Sequence, residues 1–79
     1  MEIPNQISAI AKIVHEDWKK IYFGAVPYLQ AMERINSIEE MFFEDTAKSV
    51  VRYFLSNAVS WRGEVARAVK AKLNQMLGE

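Results

Sequence analysis

What this sequence most lacks is residues that break a chain. Three glycines and two prolines serve 79 residues, too few to turn a succession of short strands. Long helices are the alternative, and the apolar residues recur at the three- and four-residue steps that a helix buries on one face. An all-α fold is expected: a compact bundle of four main helices plus a short helical turn, forming a single domain over residues 1–79.

The first helix is placed at about residues 5–23, starting from Pro4-Asn5-Gln6. Ile7, Ile10, Ala11, Val14, Trp18 and Ile21 make one stripe, and Lys12, Glu16, Lys19 and Lys20 fall mostly opposite. Gly24 ends it, with Pro27 just beyond. A break inside His15-Glu-Asp-Trp18, with Asp17 capping a second helix, is the alternative; the unbroken helix is expected. Pro27 suits the first turn of a helix over 26–36, where its missing N–H costs nothing. Tyr28, Ala31, Met32 and Ile35 form its stripe, and Asn36 stops it.

Ser37-Ile-Glu-Glu40 has the form of a capping box opening a short helical turn over 38–42. Continued into the next helix, that turn would set Ile38, Met41 and Phe42 opposite Val50, Val51, Phe54 and Leu55, making one helix apolar all round. A break near Glu44-Asp45, with Asp45 as N-cap, resolves the conflict. The third main helix, about 46–57, then puts Ala47, Val50, Val51, Phe54, Leu55 and Ala58 on one arc. Asn57 to Ser60 connects it to the last helix, about 61–77. Ser60 caps that helix, Trp61, Val65, Val69, Leu73 and Met76 are its stripe, and Gly78 ends it.

A chain of this size buries only about 60% of its unfolded surface, so its core is small. The composition, 51% hydrophobic and 25% charged, is that of a globular protein rather than a disordered one. No segment approaches the roughly 18 apolar residues of a membrane span. Met-Glu-Ile-Pro-Asn-Gln lacks the basic start and apolar run of a signal peptide. A soluble cytoplasmic protein is expected. The net charge of zero conceals a division. Residues 1–45 carry Glu2, Glu16, Asp17, Glu33, Glu39, Glu40, Glu44 and Asp45 against Lys12, Lys19, Lys20 and Arg34, a net −4. Residues 46–79 carry Lys48, Arg52, Arg62, Arg67, Lys70 and Lys72 against Glu64 and Glu79, a net +4. Such a split suits complementarity within or between chains, or a basic face for an acidic partner.

Residues able to do chemistry are few. Without cysteine there is no disulfide, thiolate zinc site or cysteine nucleophile. His15 has Glu16 and Asp17 beside it, but adjacent helical residues diverge and a metal needs convergent ligands; a surface histidine is the better reading. Glu39, Glu40, Glu44 and Asp45 lack the spacing and central glycine of a calcium loop and are better explained as acids at helix N-termini. No glycine-rich phosphate loop is present. The expectation is a non-enzyme, with no catalytic residue, no metal and no cofactor.

Two features remain. Around Trp18-Lys-Lys-Ile-Tyr-Phe-Gly-Ala-Val-Pro-Tyr28 there are more aromatics than one stripe can use. Trp18, Tyr22, Phe23 and Tyr28 are either edges of a small core or a contact surface for another chain. Arg62, on the last helix, projects into its apolar arc. It must meet a carboxylate there or bind an anionic group of a ligand or partner; a salt bridge to an acid of the first half, with Trp61 stacked nearby, is expected. The pair of helices at 46–77 also invites a helix-turn-helix reading, with Arg67, Lys70 and Asn74 as nucleic-acid contacts. The connection Asn57-Ala-Val-Ser60 lacks the usual turn glycine, the bases of the last helix are spread over several faces, and a neutral protein attracts phosphate weakly.

Trp18-Lys-Lys-Ile-Tyr-Phe-Gly-Ala-Val-Pro-Tyr-Leu-Gln-Ala-Met32 and Tyr53-Phe-Leu-Ser-Asn-Ala-Val-Ser-Trp-Arg-Gly-Glu-Val-Ala-Arg67 resemble small uncharacterised proteins of bacterial phages and prophages. The resemblance covers about two thirds of the chain and includes no catalytic motif. It implies a setting only, an accessory protein of a mobile element in the bacterial cytoplasm. The function expected is a protein-interaction module, binding a protein partner or a second copy of itself, with Trp18, Tyr22, Phe23, Tyr28 and Arg62 as contacts. A nucleic-acid-binding regulator using the basic helix over 61–74 is the alternative.

Overall fold

Four helices close into a ring in a computed structural model that describes residues 2–42 and 45–78, with the backbone alone at 42 and 45. They are α1 (Ile7–Asp17), α2 (Val26–Met32), α3 (Ala47–Ser56) and α4 (Glu64–Leu77), and a 3-10 turn, Phe23–Ala25, leads into α2. The helix α2 packs most extensively on α3, α1 lies against both α2 and α4, and α4 returns to α3. The whole measures 31 × 26 × 20 Å. The fold is all-α, and no helix of the described residues is long and apolar enough to cross a membrane.

The faces turned inward on α1 and α3 are largely those the periodicity marks, whereas α2 buries Leu29 and α4 buries Ala66 and Leu77, with the expected Tyr28, Ala31, Val65 and Met76 only partly buried. Ile7, Ile10, Ala11 and Val14 of α1 meet Leu29, Met32 and Ile35, then Ala47, Val50, Val51 and Phe54 of α3, and Ala66, Val69, Leu73 and Leu77 of α4. Burying each large side chain of this set is worth about 1.5–3 kcal/mol. Among the described residues no polar or charged residue is buried.

Helix boundaries depart from the periodic reading where an aromatic ring is wanted inside. The first helix stops at Asp17 rather than near residue 23. Trp18 takes an extended backbone, φ −87° and ψ 95°, which turns its indole into the core. Lys19 Nζ donates to the Glu16 carbonyl at 2.6 Å, satisfying one of the carbonyls the helix end leaves open. Gly24 lies within the 3-10 turn and does not end a helix. Pro27 occupies the first turn of α2 as expected. That helix ends at Met32, and Arg34 and Ile35 continue in tighter bonds to the carbonyls of Ala31 and Met32.

Residues 38–42 are not a helix. The Glu40 carboxylate does reach back, accepting from Ser37 N at 2.7 Å and from Asn36 N at 2.9 Å, but these bonds close a single turn. Two-residue strands β1 (Met41–Phe42) and β2 (Asp45–Thr46) follow, paired antiparallel with Met41 opposite Thr46 and Phe42 opposite Asp45. The break that separates the two apolar faces is therefore extended chain. Thr46, not Asp45, caps α3, its hydroxyl accepting from Ser49 N at 3.1 Å. Asn36 also replaces a side-chain cap on α1: its carbonyl accepts from Ile7 N at 3.2 Å, and its Oδ1 accepts from Gln6 Nε2 at 3.0 Å.

The last helix begins three residues later than its periodicity suggests. Trp61 is needed against Trp18, and a residue locked into the first turn of α4 could not reach it. Trp61, Arg62 and Gly63 therefore run outside the helix. Gly63 has φ 115° and ψ −177°, a conformation essentially restricted to glycine, and it takes the N-cap place expected for Ser60. Glu64 supplies the acid of the first turn, and Gly78 ends α4 in the left-handed conformation, as expected.

Candidate functional site: an exposed aromatic face beside Arg62

The aromatics flanking the 3-10 turn separate into two groups. Trp18 is only 6% exposed and stacks on Trp61, with ring centroids 5.7 Å apart and planes 12° from parallel. It also meets Phe54 edge-on at 6.3 Å. The Trp61 indole N–H donates to Asp17 Oδ2 at 2.9 Å, so the one polar atom of the pair is satisfied. Trp18 belongs to the core and offers nothing to a partner.

Tyr22 and Phe23 follow on the other side of the exposed Lys19 and Lys20 and are outside. Tyr22 is 46% exposed and Phe23 is 79% exposed, their rings 4.8 Å apart and inclined at 54°. Val59, in the connection between α3 and α4, is 68% exposed. Tyr22 and Val59 line one shallow groove of about 300 Å³ together with Ser56, Asn57, Ser60 and Arg62. Gly24 lets the two walls approach: a Cβ there would lie 2.5 Å from Tyr22 Cε2 and 2.8 Å from Asn57 Oδ1. Asn57 is itself held by its side-chain amide, which donates to the Tyr53 carbonyl at 2.8 Å. Tyr28 is half-buried and stacks on the exposed Tyr53 at 5.4 Å.

Arg62 departs from expectation. Because α4 starts at Glu64, Arg62 lies in the connection rather than on the apolar arc of a helix. It is exposed and forms no ion pair among the described residues. Its nearest electrostatic influence is on another base, Lys70, whose pKa is lowered by partial burial and, secondarily, by the Arg62 charge. Lys70 Nζ donates to the Trp61 carbonyl at 2.6 Å. Lys70 therefore braces the connection, while Arg67 and Asn74 are exposed on α4. Of the three residues proposed to contact nucleic acid, one is already bonded within the fold.

The remaining candidates are placed as follows. His15 is at the surface, where its Nε2 meets Glu33 Oε2 at 2.5 Å and ties the end of α1 to the turn after α2. Glu39 is exposed and Glu40 is spent on the turn; Glu44 lies outside the described residues. Among the described residues no three histidines or acids converge on a point that could hold a metal. Sequence reasoning missed Val59 and Tyr53. Tyr53 could have been found, since it falls outside the buried arc of α3, but Val59 read as part of a plain connection. No protein-family model matches this chain, and no curated protein and no solved structure is significantly similar to it.

Proposed function

We propose that this chain is a non-enzymatic protein-interaction module, and that the face built by Tyr22, Phe23, Val59 and the rim residue Arg62 is where a partner docks. The observation that carries this reading is the exposure of Phe23 and Val59 beside Tyr22, three large apolar groups in a domain that packs Trp18, Phe54 and Trp61 away. Small domains recruit large side chains to their cores. Rings left in water around a groove have the composition of the anchors that dominate binding energy at protein interfaces. The setting implied by the phage and prophage resemblance, an accessory protein in the bacterial cytoplasm, belongs to the same proposal.

Photo-crosslinking residues placed at positions 23, 59 and 30 in the protein produced in bacteria test it. Gln30 is exposed on α2 and lines a different depression, beside Pro27 and Arg34. A discrete protein adduct from positions 23 and 59, absent from position 30, is the expected result. The same pattern from all three positions, or none from any, removes this face as the docking surface. Light scattering across a concentration series then identifies whether the adduct is a second copy of the chain.

A further inference from the structure

The two stretches of chain that build the exposed face share a property that the overall neutrality hides. Residues 18–32 and 46–63 contain Lys19, Lys20, Lys48, Arg52 and Arg62 and no aspartate or glutamate. Of the acids flanking these stretches, Asp17 already accepts the Trp61 indole N–H and Glu64 lies in the first turn of α4; neither lines the groove. Arg62 sits on the rim of the groove with no carboxylate partner among the described residues and with Lys70 as its electrostatic neighbour. The floor and walls add an apolar surface from Tyr22 and Val59 and hydrogen-bonding groups from Ser56, Asn57 and Ser60.

Resting on the interaction reading above, we propose that the Tyr22–Val59 groove takes an apolar side chain of an acidic peptide segment, whose carboxylate meets Arg62 on the rim. At about 300 Å³ the groove is at the lower end of ligand-pocket size, which suits one anchor side chain rather than a whole cofactor. Charge complementarity decides the kind of partner. A second copy of this chain is disfavoured at this face, because a two-fold contact brings the same patch onto itself and would set Arg62 against its own equivalent. A single-stranded nucleic acid also needs bases but binds by stacking on free, accessible ring faces. Here Tyr28 and Tyr53 are stacked on each other, and Phe23, the most exposed ring of the described residues, is not among those lining the groove. Lys70, which could have met a phosphate, is committed to the Trp61 carbonyl.

Selection of a randomised peptide library on the full chain tests the proposal. Each enriched peptide is then synthesised and titrated against the wild-type protein, Arg62→Glu and Tyr22→Ala, with circular dichroism confirming that both variants keep their helices. Enriched sequences should carry Asp or Glu around a large apolar residue and shift the amide resonances of Val59 and Asn57. Arg62→Glu should weaken them about tenfold or more, and exchanging their acids for lysine should restore binding to that variant. Tyr22→Ala should weaken them without altering the preference for acids. Peptides that shift the same resonances with no enrichment in acids would overturn this inference and leave the docking face standing. Peptides that bind elsewhere, or no binders at all, would remove the docking face as well. Tighter, Arg62-dependent binding of an oligothymidine strand, or dimerisation through Tyr22, would overturn the proposal in favour of those partners.

Discussion

Trp18, Phe54 and Trp61 are packed out of water, whereas Tyr22, Phe23 and Tyr53, each within five residues of one of them, stand largely in it. Phenylalanine occurs in both groups, so residue type alone does not separate them; backbone geometry does. Tyr53 and Phe54 are successive residues on α3 and therefore point about 100° apart around its axis. Trp18 gains the interior because α1 stops one residue before it, and Trp61 because α4 starts three residues after it. Tyr22 and Phe23 fall at the start of the 3-10 turn, where the chain passes over the surface. The inner group holds the ring of helices together and the outer group does not. Stability thus rests on the inner rings, and the proposed recognition on other rings of the same neighbourhood.

The sharpest way to break that comparison is to remove an inner ring. Trp61→Ala should cost about 3–5 kcal/mol, a large share of the 5–15 kcal/mol typical of a domain, and urea unfolding monitored by circular dichroism will show it. A smaller loss, about 1–3 kcal/mol, is expected for Gly63→Ala in the same assay. An added Cβ there meets no other atom, so the whole penalty is the strain of holding a non-glycine residue at φ 115°. Phe23→Ala tests the other side of the comparison: its unfolding midpoint should stay within about 0.5 kcal/mol of the wild type, while adduct formation through position 59 falls. If Phe23→Ala instead destabilises as Trp61→Ala does, the division into inner and outer rings fails. The smallest effect concerns charge. Arg62→Ala should let the Lys70 pKa rise part of the way toward its ordinary value, and only part, since burial is the larger cause of its depression. A lysine pKa lowered on folding means that the unfolded chain holds the proton more strongly. Stability therefore rises slightly with pH through the alkaline window between the folded and ordinary values. An NMR titration of the Lys70 side chain in both proteins measures the shift.

Much of this architecture was legible in the sequence. The stripe Ile7, Ile10, Ala11, Val14 and the arc Ala47, Val50, Val51, Phe54 lie where their periods put them, because long amphipathic segments leave one face to bury. Boundaries were harder. Ile21 extends the stripe of α1 by simple counting, yet the helix has already ended. The gain from inserting Trp18 between Trp61 and Phe54 is tertiary and leaves no mark on local periodicity. The same applies to Ser60, a good N-cap by type, displaced by Gly63 because Trp61 must stay outside the helix. Residues 38–42 show the opposite failure. Glu40 reaches back to Ser37 N as a capping box requires, while Ser37 Oγ accepts from Glu39 N rather than Glu40 N, and one turn does not propagate on its own, since initiation of a helix is costly and only elongation repays it. At the exposed face, Tyr22, Phe23 and Arg62 could be singled out from an excess of aromatics and an awkward charge. The groove that joins them could not, since Val59 and Asn57 come from a distant stretch and meet Tyr22 only in the folded chain.

Trp18 and Trp61 are the two tryptophans of the protein, and they are nearly parallel neighbours. Their electronic transitions are therefore coupled, and the molecule carries its own optical gauge of whether the end of α1 is seated on the connection before α4. The gauge is blind to the outer rings, which are tyrosine and phenylalanine. A partner that settles on the groove and leaves the indole circular dichroism untouched has met a preformed surface. One that alters it has shifted the indole pair, whose Trp61 is a single peptide bond from Arg62 on the groove's rim.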